Sequence, residues 1–146
     1  MTEQMDSRLA AFLAFYNQLS HQGLHGLTAL YHAEVEFIDP VHQIQGCRQL
    51  QEYFEHAYQR LTSCQFTLVS HSASADCGFI SWQMTLQHPA INKGRTITVP
   101  GCTELRWHQG LIRYHRDYYD LTDLVYQHLP VLGFVTTKIK HRMAKA

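Results

Sequence analysis

The spacing of apolar residues divides the chain into a helical first part and a strand-rich second part. Up to residue 61, apolar positions recur at intervals of three or four, which is typical of helices that bury one face. They predict helices over residues 6–19, 27–31 and 47–61. Between the last two, "VEFIDP" predicts a strand that ends at Pro40, because proline cannot donate to a strand ladder, and "VHQIQG" predicts a loop.

After residue 61 the apolar period changes to two, which is the alternation expected of half-buried strands. The pattern predicts four strands, separated by turn-forming sequences, over residues 65–75, 78–88, 95–107 and 111–119. Helices followed by a meander of strands indicate an α+β fold. In such a fold the helices cover one side of a mainly antiparallel sheet.

The end of the chain differs from the rest. We expect residues 1–120 to form one domain and residues 121–146 to form a helical extension, which Pro130 and Gly133 interrupt. The extension is rich in apolar residues, and so much apolar surface is not expected to remain in water. It is therefore expected to pack on the same domain or on a partner subunit. The alternative is a basic helix that lies on a membrane, although "TKIKHRMAK" contains only Ile139 and Met143 as large apolar residues.

The composition argues against several classes of protein. Lys plus Arg and Asp plus Glu each number 12, so the basic patch of a nucleic-acid-binding protein is missing. No apolar stretch approaches about 18 residues and no basic, apolar leader opens the chain, so we expect no membrane partner and a cytoplasmic location. The 4 cysteines form no CxxC pair, and among the 11 histidines only His21 and His25 have i,i+4 spacing, with the helix-ending Gly23 between them. We therefore expect no metal and no other cofactor.

The last predicted strand contains an unusual octet, "RYHRDYYD", at residues 113–120. Because strand side chains alternate, Arg113, His115, Asp117 and Tyr119 should share one face. Two interpretations are open for this face. It could supply the convergent polar groups of a small-molecule site, or it could be a buried ionic network that only bridges strands.

Several features resemble the nuclear-transport-factor-2-like superfamily, which includes ketosteroid isomerases, limonene-epoxide hydrolases and SnoaL-like polyketide cyclases. They are the three helices, the strand that ends in "FIDPVH", the long meander and the last strand "IRYHRDYYD", and they cover roughly residues 5–120. The resemblance implies a cone-shaped, curved sheet that the N-terminal helices close around a pocket for a small hydrophobic molecule. It also implies a homodimer formed through the outer face of the sheet.

The resemblance suggests catalytic residues but leaves the base undecided. Asp39 is similar to the aspartate base of ketosteroid isomerases, although Asp-Pro is also an ordinary strand-ending turn. Those enzymes bind the oxyanion with a tyrosine and a protonated aspartic acid, but here Phe15 and Thr103 occupy the matching positions. SnoaL-like cyclases carry an acid/base aspartate on the last strand, which Asp117 with His115 beside it matches better.

The expected catalytic residues are therefore Asp39, His115 and Asp117. The expected ligand-binding residues are Tyr16, Phe37, Trp82, Met84, Thr103, Arg113 and Tyr119. Two functions remain open. The first is a cofactor-independent isomerase, cyclase or epoxide hydrolase, which the charged face of the last strand favours. The second is a non-catalytic binding or interaction domain with structural interior charges, which the missing oxyanion donors favour.

Overall fold

The computed structural model describes residues 3–146, without the side chains of residues 20–22. The helical part of the chain contains α1 (Ser7–Gln22), α2 (Leu27–Leu30), β1 (Tyr31–Ile38), β2 (Gln43–Gln45) and α3 (Cys47–Tyr58). The strand-rich part contains β3 (Ser63–Ala73), β4 (Cys77–Gln87), β5 (Ile97–His108) and β6 (Leu111–Tyr119), followed by α4 (Leu121–Leu124) and α5 (Pro130–Ala144). The predicted α+β class and the helix-then-meander order are confirmed.

Two local predictions in the first part are wrong. The second helix was expected to include Tyr31, but it ends at Leu30, and Tyr31 begins β1. The predicted loop before α3 contains β2, which pairs with β1 through Phe37 and Ile44. This strand has only three residues and two of them are exposed glutamines, so it carries no apolar alternation that a sequence pattern could register.

The six strands form one curved, unclosed sheet in the order β2-β1-β6-β5-β4-β3. β1 and β6 run parallel, and the other neighbouring pairs are antiparallel, as the prediction of a mainly antiparallel sheet requires. In the parallel pair, Ile38 is opposite Arg116. Asp39 and Asp117 are the next residues on these two neighbouring strands, so the sheet topology brings the two carboxylates to the same region.

A bulge in β6 determines which of its side chains face inward. Arg106 is opposite Tyr114 and Trp107 is opposite Ile112, so Arg113 has no partner on β5. The expectation that Arg113 faces the pocket is therefore wrong. Its guanidinium instead donates to the backbone carbonyl of Glu34 on β1.

The start of α1 is fixed to the sheet by one arginine. Asp6 caps the helix by accepting from the backbone N–H of Arg8 at 2.8 Å. The Arg8 guanidinium binds the Asp6 carboxylate, donates to the backbone carbonyls of Ser74 and Ala75, and lies 3.8 Å above the Trp107 ring. Hydrogen bonds from Arg8 lower the pKa of Asp6 to about 2, so this anchor persists in mild acid.

β3 lies at an edge of the sheet, and α1 pairs with its free side. The Asn17 side-chain amide donates to the carbonyl of Phe66 at 3.0 Å, and its carbonyl oxygen accepts from the Phe66 N–H at 2.8 Å. One side chain thus satisfies both backbone groups of an edge-strand residue. This pairing also blocks the edge from pairing with another chain.

We expect Asn17→Ala to lower the free energy of unfolding by about 1–3 kcal/mol, because it leaves two partly buried backbone groups without partners. Gln18→Ala, on the exposed side of the same helix, is the matched control and should change stability by less than about 0.5 kcal/mol. Urea denaturation of both variants measures the difference. Equal effects would show that the Asn17 amide does not contribute to stability.

Both tryptophans of the sheet lie against glycines on neighbouring strands. Trp82 on β4 is opposite Gly101 on β5, and a Cβ atom added to Gly101 would overlap the indole ring. The Trp107 ring would likewise collide with a Cβ at Gly78, which follows Cys77 at the start of β4. A close approach of ring to backbone is therefore the reason for glycine at both positions.

The C-terminal extension makes two kinds of contact with the rest of the protein. α4 packs beside β5, and its last residue, Leu124, reaches the interior. α5 packs mainly on the 3₁₀ segment Tyr126–His128 that precedes it, and most of its apolar side chains are exposed. Among the described residues, no helix combines the length and the apolar character needed to cross a membrane.

Candidate functional site

A cavity of about 210 Å³ lies between the sheet and the helices α1 and α3. Most of its wall is aromatic or aliphatic, and it includes Tyr16, Phe37, Tyr53, Phe54, Tyr58, Phe66, Trp82, Met84, Leu86 and Tyr119. Two carboxylates, from Asp39 and Asp117, reach this wall. A mostly apolar cavity with a few polar groups is the usual form of a small-molecule site.

Asp39 uses both carboxylate oxygens inside the protein. Its Oδ1 accepts from the backbone N–H groups of Val41 and His42 at 2.8 and 2.6 Å and lies 3.1 Å from His42 Nδ1. Its Oδ2 accepts from the Tyr53 hydroxyl at 2.9 Å. These bonds close the turn after β1 and join it to α3, so Asp39 acts in the structure as a turn-stabilising group.

Asp117 is bound through one oxygen only. Its Oδ1 accepts from the Thr103 hydroxyl at 2.6 Å and lies 2.7 Å from His115 Nε2. Within the described part of the chain, the other oxygen, Oδ2, has no protein hydrogen-bond partner. The Asp117 carboxylate is thus fixed through Oδ1, and the residue lines the cavity.

On one side of Asp117, the directions of the hydrogen bonds follow from chemistry alone. The Trp82 indole N–H, which can only donate, lies 2.8 Å from the Thr103 hydroxyl. Thr103 accepts that bond and therefore gives its own proton to Asp117 Oδ1. Thr103 is only 1% exposed, so it has no competing bond to solvent.

On the other side, a buried chain of three residues leads away from Asp117. His115 is fully buried; its Nδ1 lies 2.7 Å from the Tyr31 hydroxyl, which lies 2.6 Å from the Tyr16 hydroxyl. When neutral His115 donates from Nε2 to the Asp117 carboxylate, Nδ1 must accept from Tyr31, and Tyr31 must accept from Tyr16. Both chains of donors then converge on Asp117 Oδ1.

With this geometry established, the comparisons with known proteins identify the family. The sequence model of the SnoaL-like domain family matches residues 12–115, which is more than two thirds of the chain. The chain belongs to the SnoaL-like domain family. The resemblance to nuclear-transport-factor-2-like proteins is therefore confirmed, and Asp117 lies just beyond the matched segment. Comparison with curated protein sequences finds no significant match.

Solved structures share the fold of this SnoaL-like domain at low sequence identity. A ketosteroid isomerase-like protein from Catenulispora acidiphila DSM 44928, solved with trimethylamine, gives a TM-score of 0.72 at 17% identity, covering 86% of this chain and 93% of its own. A candidate SnoaL-like polyketide cyclase from Shewanella putrefaciens CN-32 gives 0.69 at 15%, covering 83% and 95%. TerC, co-crystallised with polyporic acid, gives 0.68 at 16%, covering 82% and 95%. At these identities the likeness shows the fold alone.

The SnoaL-like fold brings most of the predicted site residues together. Seven of them line the cavity: Tyr16, Phe37, Asp39, Trp82, Met84, Asp117 and Tyr119. His115 and Thr103 lie behind the wall, where both bind Asp117, Thr103 also binds Trp82, and His115 packs against Phe37. Arg113 lies outside, on the surface near Glu34, because of the bulge in β6. No group of His, Cys, Asp or Glu in the described residues has an arrangement that could hold a metal ion.

The sequence analysis missed two tyrosines that the site uses. Tyr31 connects His115 to Tyr16, and Tyr53 binds Asp39. Tyr53 belongs to the apolar stripe of α3, and Tyr31 was placed at a helix end, so both were interpreted as packing residues. Their hydroxyl groups were the sequence feature that could have indicated a role in the site, because a buried tyrosine usually has a hydrogen-bond partner.

Burial keeps the tyrosines of the site protonated. It raises the pKa of Tyr16 and Tyr31 well above 10.0. Burial, together with the nearby charges of Asp39 and Asp117, also raises the pKa of Tyr119. The pKa of the Cys64 thiol on the cavity wall is raised to about 11, again mainly by burial. At neutral pH these groups are uncharged.

Stability should therefore fall in alkali. A tyrosine whose pKa is raised in the folded state stabilises the fold fully below its unfolded pKa, near 10.0, and this contribution decreases as the pH rises further. Each buried tyrosine should contribute a slope of roughly 1.4 kcal/mol per pH unit above about pH 10. We expect phenolate absorbance of the buried tyrosines to appear together with the loss of circular dichroism.

Tyr16→Phe provides the matched variant, because it removes one buried hydroxyl at the end of the donor chain. Its free energy of unfolding, measured by urea at several alkaline pH values, should decrease less steeply than that of the unmodified protein. An identical slope, or ionisation of the buried tyrosines in a folded protein, would contradict the burial of these phenols.

Proposed function

We propose that this SnoaL-like domain binds a small hydrophobic molecule in the cavity and that Asp117 exchanges a proton with it, without a cofactor. One observation supports this most strongly. Asp117 lines a mostly apolar cavity and is fixed through Oδ1 by Thr103 and His115, while its Oδ2 has no hydrogen-bond partner among the described residues. A carboxylate held in this way is pre-oriented to act as a general base.

The dimensions of the cavity suggest the size of the ligand. About 210 Å³ is somewhat larger than the cavity of about 150 Å³ that accepts benzene in another protein. The wall therefore suits one or two fused rings with few substituents. Aromatic side chains such as Phe37 and Phe54 favour a flat, apolar compound over a charged one.

The proposed step is the removal of a proton from a carbon next to a carbonyl. The C–H bond breaks, Oδ2 of Asp117 binds the proton, and the electron pair moves to the carbonyl oxygen to give an enolate. The proton then returns to the same or another carbon, which is the reaction of an isomerase. Alternatively, the enolate carbon attacks a second carbonyl of the same molecule, which is the reaction of a cyclase.

The enolate oxygen needs a hydrogen-bond donor, and Tyr119 is the best candidate. Its ring lines the cavity, and no protein partner for its hydroxyl occurs among the described residues. Its raised pKa keeps the phenol protonated and able to donate. The two donor positions of the ketosteroid isomerase pattern cannot supply this bond, because Phe15 has no hydroxyl and the Thr103 hydroxyl donates to Asp117.

Deuterium uptake by 2-tetralone in heavy water tests the proposed step, since proton abstraction alone replaces its acidic hydrogens. We expect the protein to accelerate uptake above the buffer rate, and Asp117→Asn to reduce that acceleration by about 10²-fold or more. Asp76→Asn, at an exposed turn far from the cavity, is the matched control and should behave like the unmodified protein. Proton NMR measures the uptake.

Each outcome separates the alternatives. Acceleration that survives in a folded Asp117→Asn protein would exclude Asp117 as the base. A thermal shift with 2-tetralone but no acceleration would support the second candidate function, a non-catalytic binding domain. That alternative is favoured by Asp39, whose two oxygens are both hydrogen-bonded, so that Asp117 is the one of the two expected carboxylates that keeps an unbonded oxygen.

Tyr119→Phe should slow deuterium uptake by about 10²-fold, because the enolate loses its donor. Since Tyr119 makes no hydrogen bond to the described protein, its melting temperature should change little. The binding of 2-tetralone, measured by quenching of Trp82 fluorescence, should also be nearly unchanged. A variant that binds and exchanges normally would show that the enolate oxygen is stabilised elsewhere.

A further inference from the structure

α5 has one side that is attached to the protein and another that is not. The attached side includes Gly133, which packs against the backbone of Gln127, and Lys140, which lies 3.5 Å from Asp123. Residues at spacings of three and four form an apolar stripe elsewhere on the helix: Leu132, Val135, Ile139 and Met143. At about 100° per residue, Ile139 points about 120° away from Gly133, so the stripe faces away from the domain.

The stripe is exposed to a degree that is unusual for such residues. Ile139 is 51% and Met143 is 71% exposed, and Val131, beside the stripe, is 75% exposed. Phe134 is 69% exposed but points about 140° away from Ile139, on another side of the helix. So many exposed apolar side chains on one helix indicate an interaction site.

The charges on α5 all have the same sign. From residue 130 to the end, the chain contains Lys138, Lys140, Arg142 and Lys145 and no acidic residue. Lys138 and Arg142 lie on one side of the apolar stripe, whereas Lys140, on the other side, is paired with Asp123 of the domain. Long basic side chains beside an apolar stripe can extend outward to reach anions while the apolar residues insert.

This charge distribution decides between possible occupants. Pairing of α5 with α5 of a second copy would place two sets of positive charges against each other with no acidic partner. An apolar groove on another subunit would satisfy the stripe but not the cations that flank it. A surface that is both apolar and anionic satisfies both.

We propose that α5 lies on the surface of an anionic lipid membrane, with Leu132, Val135, Ile139 and Met143 inserted at the level of the headgroups. The proposal does not depend on the chemistry assigned to Asp117.

Sedimentation of the full-length protein with lipid vesicles tests the proposal. We expect binding to vesicles of phosphatidylcholine mixed with phosphatidylglycerol and much weaker binding to phosphatidylcholine alone. Ile139→Asp should weaken binding about tenfold or more, because it places a carboxylate in the apolar stripe. The double variant Lys138→Gln/Arg142→Gln should also weaken it about tenfold or more, and added salt should reduce binding by the unmodified protein.

Val69→Asp is the matched control, because Val69 is 67% exposed on β3, away from α5. It introduces the same charge and should leave vesicle binding unchanged. Absence of vesicle binding, or binding that Ile139→Asp does not weaken, would overturn the proposal. If the protein binds no vesicles and Ile139→Asp converts an oligomer to a monomer in sedimentation velocity, α5 is a subunit interface instead.

Discussion

The hydrogen bonds that converge on one oxygen of Asp117 organise much of this protein. Trp82 of β4 donates to Thr103 of β5, and Tyr16 of α1 reaches His115 of β6 through Tyr31 of β1. A single acceptor oxygen thus connects the first helix to four strands. When His115 is neutral, each donor in the two chains has one available direction, so the loss of one member would leave a buried polar group unpaired.

The sequence was sufficient for the order of the longer helices and strands and for the inward face of β6 beyond its bulge. Period-two alternation placed His115, Asp117 and Tyr119 on one side, and the same rule placed Trp82 on the inner face of β4. It failed at Arg113 because a bulge depends on the register of the neighbouring strand, Arg106 to Tyr114 and then Trp107 to Ile112. Such a register involves two segments of chain, and the pattern of one segment does not contain it.

The division of roles between the two aspartates also depended on three-dimensional information. The Asp-Pro sequence indicated a turn, whereas the family resemblance indicated that Asp39 is a base. In the structure, one oxygen of Asp39 accepts hydrogen bonds within that turn and the other accepts from Tyr53. Tyr31 could not be recognised as a connecting residue, because its two partners are 15 and 84 residues distant in the chain. An apolar stripe locates a tyrosine ring at the core, but the partner of its hydroxyl comes from the tertiary fold.

The contact between Trp82 and Gly101 has a consequence for how the volume of the cavity could change during evolution. The indole forms part of the cavity wall, and it occupies the space that a side chain at Gly101 would need. Any larger residue there must displace the ring, and the indole is also the first donor of the chain that ends at Asp117. A substitution at Gly101 that changes the volume of the cavity would therefore also change the orientation of Asp117. Substitutions of Met84 or Leu86 should change the cavity volume more readily, because these residues line the cavity but belong to neither donor chain.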